Sequence, residues 1–62
     1  MRRIPLELQI AEVAREIALR VAVYPRLISV GKLATAHAET QLAHLRAALR
    51  TLRQRRKPRR RQ

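Results

Sequence analysis

Cysteine is absent from this chain, as are phenylalanine and tryptophan, and each absence removes a class of protein. Without cysteine there is neither a disulfide framework nor a thiolate metal site to supplement the core, and the absence fits a reducing compartment. Tyr24 is the one aromatic residue. The chain therefore has no platform on which nucleic-acid bases could stack, and no bulky aromatic face of the kind that interfacial helices bury in a membrane. Acidic residues are also scarce, four against 15 lysines and arginines, which leaves a net charge of +11. The longest uncharged run falls far short of the roughly 18 residues of a transmembrane helix. Glu7, Gln9 and Glu12 interrupt the stretch after Met1, Arg2 and Arg3 before the apolar part of a secretory signal could form. These features predict a cytoplasmic protein that does not engage a membrane.

What is present is alanine, leucine, isoleucine and valine, in a chain of 62 residues that is 47% hydrophobic. A single domain of that size buries only about 60% of the surface its unfolded form exposes, so it is marginal alone. With no disulfide or metal at hand, self-association is the remaining common means of support. The lack of large aromatics favours narrow helix–helix seams over a sheet core.

The periodicity predicts two helices. Pro5 suits a helix start, where its missing N–H costs nothing, and Glu7 stands near the positive end of the dipole. Leu6, Ile10, Val13, Ile17, Val21 and Tyr24 then recur close to a heptad, with Ala14 and Ala18 widening the stripe and Glu16–Arg20 forming a solvated i, i+4 pair. Pro25 disfavours helical geometry at Tyr24 and removes one N–H, so this helix is predicted over about 5–24, ending or kinking near Val23. A corner over about 25–34 follows, in which Arg26 to Val30 can form a separate helical turn and Gly31 takes a positive φ. A second helix is predicted over about 35–57. There Ala38, Leu42, Leu45, Leu49 and Leu52 repeat at spacings of four and three, Thr35 lacks the glutamate of a capping box, and Pro58 sets a hard limit. Residues 58–62 are predicted to be a disordered basic tail by composition.

The resulting fold class is all-α: an antiparallel helical hairpin, predicted to dimerise into a four-helix bundle because a lone hairpin leaves half of each seam wet. The predicted interface consists of Leu6, Ile10, Val13 and Ile17 from the first helix, with Leu42, Leu45, Leu49 and Leu52 from the second.

The run Val13-Ala14-Arg15-Glu16-Ile17-Ala18-Leu19-Arg20, then Val23-Tyr24-Pro25-Arg26, then Gly31-Lys32-Leu33, resembles a family of small uncharacterised proteins of bacteriophages and proteobacterial prophages. The resemblance covers about Glu12 to Leu52 and implies a helix, a Val-Tyr-Pro-Arg corner and a second helix, with no biochemical activity attached. The family tends to carry further arginines between the positions of Arg20 and Val23, and often tryptophan where Leu27 stands. Here Val21 and Ala22 replace those bases, and the Arg-rich end lies outside the shared segment.

Charge is unevenly placed. Arg46, Arg50, Arg53, Arg55, Arg56, Lys57, Arg59, Arg60 and Arg61 give the last seventeen residues +9 with no acid, while residues 1–45 hold the other six bases and all four acids, a net of +2. Arg46, Arg50, Arg53 and Lys57 fall on one helical side. Such a ridge is predicted to contact the phosphates of DNA or RNA, against the simpler reading of a solubilising end. No helix-turn-helix spacing, zinc finger or aromatic platform points to sequence readout, so binding is predicted to be non-specific. The alternative is a protein–protein interaction module, docking its apolar helix faces on a host or phage protein as an inhibitor or adaptor.

Catalysis and metal binding find no support in the residues. His37 and His44 share a helix face but lie about 10 Å apart along the axis, too far to share one ion. Glu12 and Glu16 each have an arginine nearby and no pocket, and Ser29, Thr35, Thr40 and Thr51 lack a base in any triad arrangement. Tyr24 reads as a plug at the end of the seam. The chain is predicted to be no enzyme and to need no cofactor.

Overall fold

The computed structural model describes residues 3–56, so Lys57 and the basic tail expected over 58–62 lie outside the described residues. Helix α1 runs Leu6–Ser29 and helix α2 runs Thr35–Arg56. The two pack against each other as a hairpin, with no strand among the described residues.

Pro5 is the residue that precedes α1 rather than its first member, with φ −58° and ψ 144°. Its carbonyl accepts from the N–H groups of Leu8 and Gln9 at 3.0 and 3.2 Å, and the Gln9 side-chain amide donates to the Ile4 carbonyl at 2.8 Å. The backbone carbonyl of Pro5 thus serves first-turn N–H groups where no side chain caps, and Gln9 ties the preceding residue Ile4 to the helix.

The first helix does not end at residue 24. It passes through Pro25 and continues to Ser29, so the turn of Arg26 to Ser29 is part of α1 and not a separate element. Pro25 is exposed, on the solvent side, where the carbonyl it frees can be hydrated. What ends the helix is Gly31. At φ +76° it is the one described residue in the left-handed region. Its N–H donates to the Ile28 carbonyl at 3.0 Å and that of Lys32 to the Leu27 carbonyl at 2.9 Å. These two bonds make a Schellman cap, satisfying carbonyls that the helix leaves without partners. The corner is therefore Val30 to Ala34, and α2 starts at the expected Thr35, with the Ala38 N–H bonded to the Ala34 carbonyl at 3.0 Å.

The core is small. Ile10, Tyr24 and Ala38 are the buried residues among those described. Around them Leu6, Val13, Ile17, Leu27 and Ile28 of α1 and Leu42, Leu45, Leu49 and Leu52 of α2 are half-buried. The predicted interface set thus lines the seam between the two helices of one chain: Ile10 is buried there and the other seven are half-covered.

The seam differs from the predicted stripe at one position. Val21 is 45% exposed, whereas Arg20 is half-buried. The seam steps 6, 10, 13, 17, 20, 24, an alternation of four and three without a break, and that register places an arginine where hydrophobicity alone selects the neighbouring valine.

Candidate nucleic-acid interface

Two charged features lie at opposite ends of the hairpin. At the corner end, the seam register that turns Arg20 inward sets it in a polar cluster. Its Nε donates to Glu16 Oε2 at 2.6 Å, and its Nη1 reaches Tyr24 Oη at 3.2 Å and Gln41 Oε1 at 3.1 Å. The Tyr24 hydroxyl donates to the same Gln41 oxygen at 2.7 Å. Glu16, Arg20 and Tyr24 are one turn apart on α1, while Gln41 comes from the second turn of α2, so the cluster joins the helices.

The charges of Glu16 and Arg20 are therefore not a purely solvated pair. Their side chains retain 40% and 35% of their exposure, against 66% and 65% for the outward-facing pair Glu12–Arg15. The bond to Glu16, then that to Tyr24, raises the Arg20 pKa above its ordinary value, with desolvation opposing. Arg20 stays charged throughout the working pH range. The Gln41 carbonyl oxygen faces Tyr24 and Arg20, so its amide nitrogen faces His37 Nε2 at 3.1 Å. His37 and His44 are both exposed, and no group of three or more metal-ligating side chains occurs among the described residues.

At the other end, the helical period sorts the arginines of α2. Arg46, Arg50, Arg53 and Arg56 line one open groove between the helices, with Gln54 at its edge and Ile17 and Leu49 as its apolar floor. Arg55 stands half a turn around the helix and does not join them. It lines a separate concavity with Arg3, Ile4, Pro5, Leu6, Gln9, Thr51 and Leu52, where the start of α1 meets the end of α2. Arg3 is the basic residue that sequence reading missed: only the antiparallel return of the chain brings it beside Arg55.

All four glutamates of the chain lie among the described residues, and the ion pairs there are Glu12–Arg15 and Glu16–Arg20, both within α1. The groove arginines thus face solvent without an acidic partner. The negative end of the α2 dipole, with Arg53, Arg55 and Arg56 in its last turn, favours their charge. Planar guanidinium forks on one groove suit phosphate oxygens better than a flat scatter of charge would. No helix among the described residues is long and apolar enough to cross a membrane.

No family model matches the chain, and neither a curated protein nor a solved structure matches it.

Proposed function

We propose that this chain is a small accessory protein of bacteriophage or prophage type, a binding protein and not an enzyme. It holds DNA or RNA without strong sequence preference on the arginines of α2, and it acts as a dimer that finishes covering its apolar surface. The observation that carries this reading is the groove of Arg46, Arg50, Arg53 and Arg56, four unpaired guanidinium groups over a floor of Ile17 and Leu49. Lys57, Arg59, Arg60 and Arg61 extend the same charge along the chain. Dimerisation is supported by the small core and by the large apolar side chains that one hairpin leaves half-covered or exposed.

Titration of labelled duplex DNA and of RNA against the full chain, at several salt concentrations, tests the proposal. Truncation after Leu52 removes seven bases and no seam leucine. Helicity should survive, affinity should fall, and the slope of log K against log salt should become shallower by roughly 0.9 per lost duplex phosphate contact. Arg50→Ala/Arg53→Ala in the full chain should flatten the slope by about two such steps. Equal affinity and slope in all three proteins would overturn nucleic-acid binding in favour of a docking module.

A further inference from the structure

Helix α1 carries a second apolar stripe outside the seam. Leu8, Leu19 and Val23 are 59%, 49% and 47% exposed, and Ile4, just ahead of the helix, is 58% exposed. Ile4 and Leu8 border one apolar groove together with Leu52. At 3.6 residues per turn, Leu8, Glu12, Arg15, Leu19 and Val23 fall within an arc of about 80°. The smaller Ala11, Ala18 and Ala22 flank them, all exposed. In the middle stands the ion pair Glu12–Arg15 at 3.0 Å.

The stripe is symmetric about its own centre. Moving outward from the midpoint between Val13 and Ala14, the helical residues met in pairs are Glu12 and Arg15, then Leu8 and Leu19, while Ile4, ahead of the helix, matches Val23 in sequence position alone. A two-fold axis at that midpoint superposes the stripe on itself in antiparallel sense. Each Leu8 then lies against the partner's Leu19, and each Glu12 against the partner's Arg15. A parallel pairing would instead oppose Glu12 to Glu12 and Arg15 to Arg15.

Charge also selects this face for a like chain. Glu7, Glu12 and Glu16 balance Arg15, Arg20 and Arg26, so α1 is neutral in a protein of +11, whereas the described part of α2 sets five arginines against Glu39. Two copies repel through α2 and meet without repulsion through α1. The alanine flank allows the short interaxial distance that close helix packing needs.

We propose that the outer face of α1 is an isologous interface for a second copy of this chain, antiparallel and centred between Val13 and Ala14. The proposal rests on the self-association proposed above and assigns it to a face other than the leucine seam. In such a dimer the arginine-rich end of each α2, which lies beside the start of its own α1, is carried to the opposite end from its counterpart. The assembly is thereby bivalent for a polyanion.

The cysteine-free sequence makes the register directly testable in the full chain. L8C and L19C, mixed and oxidised with oxidised glutathione, should form an intermolecular disulfide readily. L8C alone should not, because two-fold symmetry separates its thiols by about 16 Å along the axis. In sedimentation equilibrium, Glu12→Arg or Arg15→Glu alone should weaken self-association about tenfold, and mixing the two variants should restore it. All these positions are exposed, so helicity by circular dichroism should not change. A dimer indifferent to both charge reversals, with no excess disulfide in the mixture, overturns this face and leaves the seam as the route of association. A monomer at every concentration overturns self-association altogether.

Discussion

The Tyr24 hydroxyl and the Gln41 side-chain carbonyl, 2.7 Å apart, form the shortest polar link between the two helices. Since Arg20 donates to the same oxygen, removing either partner has a different consequence. Tyr24→Phe deletes one donor and leaves Gln41 bonded to Arg20, at a cost of about 1 kcal/mol. Gln41→Leu leaves the tyrosine hydroxyl and the arginine without their acceptor across the seam, at a cost of about 1–3 kcal/mol. The double variant should lose less than the sum of the two, because no tyrosine hydroxyl is then left without its acceptor. Chemical denaturation at one fixed protein concentration measures all three, and strict additivity would show that the pair is not coupled. Arg20 adds no pH dependence below strongly alkaline conditions. Its raised pKa means that its contribution is fully present below the unfolded value and is lost only as pH climbs through the folded one.

Pro25 sits inside a continuous helix, with a ring that crowds the Val21 carbonyl and no N–H to give it. Pro25→Ala should therefore stabilise the protein, by an amount up to about 3 kcal/mol, the size of the helix-interior proline penalty. For a domain of this size each kcal/mol corresponds to roughly 4–8 °C in the melting midpoint. A lowered midpoint would show that the proline fixes the end of α1 in a direction the corner needs.

Gly31 is required for its backbone alone. A Cβ at this position would meet nothing within 4 Å, so the cost of Gly31→Ala is the left-handed conformation itself, at φ +76°. That cost is about 1–2 kcal/mol. Gly31→Asn, which tolerates the left-handed region better, should recover part of it. Equal losses from the two substitutions would place the cause elsewhere than in φ.

Periodicity and turn chemistry determined much of this protein from its sequence. The existence of two helices follows from repeats at four and three, and the cap at Gly31 follows from its being the one residue without a Cβ. These are local properties, fixed by how neighbours along the chain compete for the same backbone hydrogen bonds.

Tertiary packing decided the rest. Proline lowers the local preference for helix at Tyr24, but Leu27 and Ile28 gain cover in the hairpin only if α1 continues past Pro25, and the packing outweighs the lost bond. Hydrophobicity along one strand of sequence selects Val21 for the seam. Gln41 on the facing helix makes Arg20 acceptable there instead, and no reading of α1 alone contains Gln41. Arg55 belongs to the charged run by position in the chain, yet helical rotation sends it around to Arg3 while Arg46, Arg50, Arg53 and Arg56 share a groove. Composition establishes how much positive charge the chain carries. Which guanidinium groups can engage one polyanion together depends on their angles around a helix and on the antiparallel partner beside it.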